Sequence, residues 1–245
     1  MKALIDADVI AYRTIAIGER DELTVEQIIE EAIKTAWLWR GLVGSADPLL
    51  IFSGPKNYRK HLMTEYKSHR KPKPECYVEV VEGMKAKMPH KSIEGLEGDD
   101  VMGILQTSDV YGNTAILSID KDMKTIPGRL VNPDKWPDEN GNISNEEADY
   151  NWMYQTLVGD SADGFKGCPG IGPKKAEKAL DGIKGLDALW DKVLSMFNDE
   201  QLAIDNARLA RILRRKDYDA EHKRVKLWHP TDEVWFSLES MEVMA

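Results

Sequence analysis

The stretch Gly159-Asp-Ser-Ala-Asp-Gly-Phe-Lys-Gly-Cys-Pro-Gly-Ile-Gly-Pro-Lys-Lys-Ala-Glu-Lys178 divides the chain into two parts of different character. Asp160 and Asp163 stand before a turn broken by Gly167, Gly170 and Gly172. Pro173 then opens a helix at the position that tolerates proline best, where its missing N–H has no intrahelical partner to lose. Lys174 and Lys175 follow in the first turn. Carboxylates suited to a cation thus lie beside backbone amides and lysines suited to a phosphate. An ordinary helix-to-helix turn needs neither the repeated glycine nor the paired lysines. Sequence-independent contact with a nucleic-acid backbone is the favoured reading of Gly170, Gly172, Lys174 and Lys175.

Ahead of this stretch, strand and helix patterns alternate. Lys2 to Ile5, Leu49 to Phe52, Asn113 to Ile119 and Gly128 to Asn132 read as short strands. Thr24-Val-Glu-Gln27 is a capping box opening a long helix, in which Ile28, Ile29, Ala32, Ile33, Ala36 and Trp37 recur at near-helical spacing. Trp37, Trp39 and Trp152 are expected in the core. Tyr77 to Lys87 and Glu97 to Leu105 read as helices, and Ser144-Asn-Glu-Glu147 is a second capping box. The alternation predicts an α/β fold with a mostly parallel sheet covered by helices on both faces. Beyond Ser144 the pattern is helical, over Pro173 to Leu180, Leu186 to Phe197 and Glu200 to Arg215. Weak alternation near Val225 to Leu227 and Val234 to Leu238 leaves room for one or two strands at the end.

No stretch is apolar for long enough to span a membrane, and no cleavable leader is expected at the start. Cys76 and Cys168 lie far apart, without zinc spacing, and are expected as reduced thiols of a cytoplasmic protein. A net charge of −9 argues against a nucleic-acid partner only as a sum. From Lys56 to Lys73 there are seven Lys/Arg and two His against the single acid Glu65. From Arg208 to Lys226 there are eight Lys/Arg against three acids. Arg208, Arg211 and Arg215 would share one helix face there, as an extension of a DNA track or equally as plain surface.

The acids gather in short groups: Asp6/Asp8, Glu97/Asp99/Asp100, Asp120/Asp122 and Asp160/Asp163. Asp6 and Asp120/Asp122 follow strands, where ligands of parallel sheets collect. Two carboxylates 4 Å apart repel by about 4 kcal/mol at an effective dielectric near 20, so gathering several calls for a counter-cation. Hard ions such as Mg²⁺ suit carboxylate oxygens, and a pair of them suits phosphodiester cleavage. Any one group alone is more often a turn or a helix cap than a ligand; four groups together make that reading hard to keep.

Leu4-Ile-Asp-Ala7, Glu65-Tyr-Lys-Ser-His-Arg70, Glu97-Gly-Asp-Asp-Val101, Ile119-Asp-Lys-Asp-Met123 and Gly159-Asp-Ser-Ala-Asp163 occur in an order that resembles the flap endonuclease/5′-nuclease family. The turn at 167–175 is similar to that family's helix–hairpin–helix element, and the likeness runs over about residues 2–180. It looks most like the compact phage 5′-to-3′ exonucleases. The resemblance implies a PIN-like core over 1–143 with a helical arch at about 56–90, then a helical DNA-binding region over 144–245 with the hairpin at about 150–180. It implies metal ligation by Asp6, Glu97, Asp99, Asp100 and Asp120 at a first site, and by Asp122, Asp160 and Asp163 at or near a second. Tyr66, Lys67 and Arg70 would be arch residues that stack on or grip DNA at the scissile phosphate. The implied cofactors are two or more Mg²⁺, with Mn²⁺ as a substitute, and K⁺ at the hairpin. The implied partners are duplex or 5′-flapped DNA and RNA–DNA hybrids, bound by a monomer. Ser53 departs from the pattern, because many members carry an acid there; Asp8 either compensates, or the first metal binds more weakly. A non-catalytic DNA-binding protein on a decayed nuclease scaffold and a PIN-type ribonuclease are the competing readings.

Overall fold

The computed structural model describes residues 1–244. The N-terminal part alternates β1 (Lys2–Asp6), α1 (Ala7–Arg20), α2 (Val25–Leu42), β2 (Asp47–Ile51), α3 (Arg59–Leu62), α4 (Tyr77–Lys87), β3 (His90–Lys91), α5 (Gly98–Gln106), β4 (Thr114–Leu117), β5 (Gly128–Val131) and β6 (Asn140–Ile143). The sheet runs β3-β2-β1-β4-β5-β6, parallel except for β6. Asp6 pairs with Ile51 and Ile5 with Leu117, so β1, β2 and β4 end side by side.

Side chains alternate across β1. Ala3 and Ile5 pack with α1, α2 and α4, whereas Leu4 packs on the opposite face with α5 residues Val101 and Met102. Both predicted capping boxes form, at Thr24/Gln27 and Ser144/Glu147. Trp39 and Trp152 are buried as expected, but Trp37 is 44% exposed and lies under the Arg40 guanidinium instead. Helical spacing marked that face of α2, but its edge was already solvent.

The second part holds α6 (Asn145–Val158), α7 (Pro173–Leu180), α8 (Leu186–Met196) and α9 (Glu200–Ala210) around Trp152, Trp190 and Leu157. It is not helical to its end. Strands β7 (Tyr218–Asp219), β8 (Arg224–Leu227), β9 (Val234–Ser237) and β10 (Glu242–Met244) form an antiparallel sheet. Val225, Leu227 and Phe236 of this sheet join the cluster of Leu4, Ile51 and Ile116. The chain therefore returns to cover the open face of the first sheet, and the expected helical region over 144–245 is corrected to 145–210. The predicted arginine face is corrected with it. Helix α9 stops at Ala210; Arg211 and Arg214 are buried, with Arg211 bonded to Asp217 and Arg214 to Asp149.

The expected arch also takes another form. Residues 63–76 carry turns and no helix, and only α3 is helical before α4. Pro72 and Pro74 forbid regular helix at its end. Lys67 stands at φ 55, in the left-handed region, so the chain reverses at the residue whose side chain points at the acids.

Candidate active site

The acids come from four segments that the sheet order brings to one edge. Asp6 ends β1 and caps α1, accepting Val9 N–H at 3.2 Å and the Ser118 hydroxyl at 2.6 Å. Burial pushes its carboxyl up to about 7 against the Ser118 hydrogen bond, with Asp8 and Asp120 adding repulsion. Asp99, in the first turn of α5, is raised well above the carboxylate range by burial and by Asp6 and Asp120. Asp122, in the short 3₁₀ turn Lys121–Thr125, is pushed up to about 6 by burial and by Asp120. Asp120 caps that turn by accepting Asp122 N–H at 2.8 Å.

Asp160 and Asp163 arrive on a loop closed by two glycines. Gly159 (φ 73) and Gly167 (φ 66) are pressed together, and a Cβ on either would stand 2.4 Å from the other's nitrogen. Any side chain there would pry the acid loop from α6. Asp160 accepts Ala162 N–H at 2.7 Å and faces Lys121 at 3.5 Å. Asp163 accepts the Tyr66 hydroxyl at 2.8 Å and the Arg70 guanidinium at 2.7 Å.

Lys67 is ion-paired with Glu97 and stands 3.5 Å from Asp163. Burial acts to raise the Glu97 carboxyl, but Lys67, Arg59 and the Tyr66 hydroxyl together hold it below its ordinary value. Glu97, Asp99, Asp122 and Asp163 line one cavity of about 20 Å³ together with Gln155. Among the described residues no three of the acids converge tightly enough to grip one ion as they stand. Cationic side chains, hydroxyls and backbone donors hold Asp6, Glu97, Asp160 and Asp163 instead.

Three expectations change. Asp100 is fully buried against Arg59, which donates to its two oxygens at 2.7 Å each and also reaches Glu97 at 3.3 Å. Leu213 N–H and Glu97 N–H occupy the remaining lone pairs, so Asp100 is a structural ion-pair partner and not a ligand. Tyr66 is 2% exposed with its hydroxyl on Glu97 and Asp163, so its ring is not presented for stacking. Ser53 is not an empty corner of the site. Its hydroxyl accepts the Gly98 N–H at 3.0 Å, and its own N–H donates to Asp8 at 2.8 Å. Asp8, also held by the Tyr77 hydroxyl at 2.7 Å, brings a carboxylate to the end of β2.

Sequence reading missed Arg59, Gln155 and the pair Tyr12–Tyr77. Arg59 was one basic residue in a run of seven, and only the fold singles it out by burial. Tyr12 lies one helical turn beyond Asp8 and is 42% exposed, with its ring 4.8 Å from that of Tyr77. In the turn at 167–175, Lys174 and Lys175 are exposed beside Gly170 and Gly172. Gly170 needs its glycine for φ 75. Gly172 has neither a positive φ nor a neighbour that a Cβ would meet, so nothing internal to the fold explains its bare surface.

The site is thus a parallel α/β sheet edged with carboxylates, with a lysine and an arginine set against them and a glycine hairpin next in the chain. No family model matches the chain. An exodeoxyribonuclease of Enterobacteria phage T3 is 31% identical over 252 residues, covering 86% of this chain and 82% of the relative. An exonuclease of Escherichia phage T7 is 30% identical over 253 residues, covering 86% and 83%. Among solved structures, the flap endonuclease of bacteriophage T5 in complex with DNA and metal ions has a similar fold, with TM-score 0.65 at 14% identity over 85% of this chain and 88% of that one. The chain belongs to the flap endonuclease/5′-nuclease family. No helix among the described residues is long and apolar enough to cross a membrane.

Proposed function

We propose that this protein hydrolyses phosphodiester bonds of duplex DNA at 5′ ends and 5′ flaps, using divalent cations held by Asp6, Asp8, Glu97, Asp99, Asp120, Asp122, Asp160 and Asp163. The observation that carries this reading is the gathering of carboxylates from four chain segments, with Glu97, Asp99, Asp122 and Asp163 lining one cavity; burial among other acids raises Asp6, Asp99 and Asp122 there. Such a cluster is strained without a counter-cation, and its all-oxygen donor set suits Mg²⁺, with Mn²⁺ as a chemical substitute. Bound Mg²⁺ supplies a Lewis acid that activates water and neutralises charge building on the phosphate.

The chain's own residues do the rest. Lys67 and Arg70 stand where cations meet the acid edge, and a phosphate arriving there takes over their hydrogen-bonding capacity. Arg59 and Tyr66 hold Glu97 in place from behind. Tyr12 offers an exposed aromatic face beside Asp8 on which an unpaired base can stack. Gly172, Lys174 and Lys175 fix the duplex backbone at a distance from the acids. A K⁺ ion at the hairpin fits less well, because the Gly170 carbonyl already accepts the Lys175 ammonium at 2.8 Å. An RNA–DNA hybrid offers the same phosphates and is a further substrate of this reading.

The test is cleavage of a 5′-labelled duplex in Mg²⁺ with an EDTA control. Asp122→Ala and Asp160→Ala are expected to abolish label release while duplex binding persists; full activity in either variant refutes the assignment. A non-catalytic scaffold had Ser53 as its support, and Asp8 beside Ser53 weakens it.

A further inference from the structure

Gln155 lies in α6, five residues before Asp160, and is 8% exposed. Its helix neighbours Trp152, Met153 and Leu157 belong to the apolar cluster between the helices. Gln155 lines the cavity shared by Glu97, Asp99, Asp122 and Asp163. Its side-chain amide hydrogen-bonds to none of the described residues, whereas the carboxylates Asp163 and Glu97 around the same cavity are each held by two or more donors. The amide nitrogen and oxygen are not sealed from solvent, so water in that cavity reaches them. The cavity is about 20 Å³, room for a single water molecule.

We propose that Gln155 is a positioning residue that holds, through its side-chain amide, a water molecule between Glu97, Asp99, Asp122 and Asp163 in the cation-loaded site. This rests on the metal-nuclease reading above. Mg²⁺ sheds its waters reluctantly and keeps several of them among its ligands. Those waters donate outward and need acceptors, and groups of this kind orient the shell and tune it. A neutral amide suits this role. Its carbonyl accepts from a water, its NH₂ donates to a carboxylate or phosphate oxygen, and the site's charge is unchanged. A lysine at the same place would compete for the acids, and a further carboxylate would add to their repulsion.

The test compares wild type with Gln155→Met, which keeps length and burial but removes the amide, and with Gln155→Glu, which keeps an acceptor oxygen. Mn²⁺ binding to the DNA-free protein is measured by calorimetry, and steady-state cleavage of the labelled duplex is measured across a Mg²⁺ titration. Gln155→Met is expected to lose about tenfold in Mn²⁺ affinity and in kcat, with KM for DNA unchanged and its unfolding midpoint in EDTA equal to or above wild type. Gln155→Glu recovers most of the cation affinity. Folded Gln155→Met with wild-type affinity and kcat overturns the proposal, and so does a defect confined to KM. Asp122→Ala in the same series separates the two readings. If it still cleaves, the metal site itself is wrong; if it is inactive while Gln155→Met behaves as wild type, only the role of Gln155 fails.

Discussion

Asp122→Asn probes the acid cluster without touching its backbone. The Asp122 carboxyl is pushed from 3.8 to about 6 by burial and by Asp120. Because the folded-state pKa lies above the unfolded value, the folded protein binds more protons between about pH 4 and 6, and stability falls as pH rises through that window. Above it the whole penalty is present. Two pKa units correspond to about 3 kcal/mol, at 1.36 kcal/mol each. Asparagine carries no such penalty at any pH, and the contact it weakens, Lys121 at 3.3 Å, is solvent-exposed on the lysine side. In EDTA at neutral pH, Asp122→Asn should therefore be more stable than wild type by up to about 3 kcal/mol, a melting shift of roughly 6–12 °C for a chain of this size. At pH 4 the two should coincide. Adding Mg²⁺ should stabilise wild type more than the variant, because a cation offsets the repulsion that the substitution has already removed. Thermal unfolding at pH 4 and 7.5, with and without Mg²⁺, reads all of this. A variant no more stable than wild type in EDTA at pH 7.5, or one that still cleaves DNA at full rate, refutes the reasoning.

Arg59→Ala leaves Asp100 buried and uncompensated, and should cost about 3–5 kcal/mol in a urea unfolding series. Lys67→Ala should lower kcat on a 5′-labelled duplex by about 100-fold, in the range of a lost charge-stabilising donor, with duplex affinity reduced far less. Gly172→Glu meets open space and an ordinary φ, so its unfolding midpoint should match wild type, while duplex affinity measured by fluorescence anisotropy falls. If Gly172→Glu binds duplex normally at low salt, the hairpin is not a backbone contact.

Much of the fold is legible in the chain alone. Short continuous apolar runs, two of them followed by Asp6 and by Asp120/Asp122, announce buried parallel strands whose carboxyl ends carry the chemistry, because burial on both faces of a parallel sheet is written in the residues of each strand. The capping boxes at Thr24 and Ser144 announce their helices for the same reason. The strands at 218–244 are only half legible. They are short, and their apolar side chains are explained by the face of another sheet that the chain reaches late in its sequence.

At single residues the division is sharper. Sequence alone determined which acids exist, their grouping and the glycine hairpin beside Asp160, since residue type and spacing are properties of the chain. Only the tertiary structure decided which carboxylate turns inward, because that depends on a partner distant in sequence. Asp100 and Asp99 are adjacent and alike in type, yet Arg59 claims one while the other is left among Asp6 and Asp120. Tyr66 and Gln155 follow the same logic. Their neighbours in sequence do not say whether a ring is sealed behind Glu97 or an amide is left at the cavity of the acids; the packing of α6 against the 3₁₀ turn Lys121–Thr125 and against α9 does.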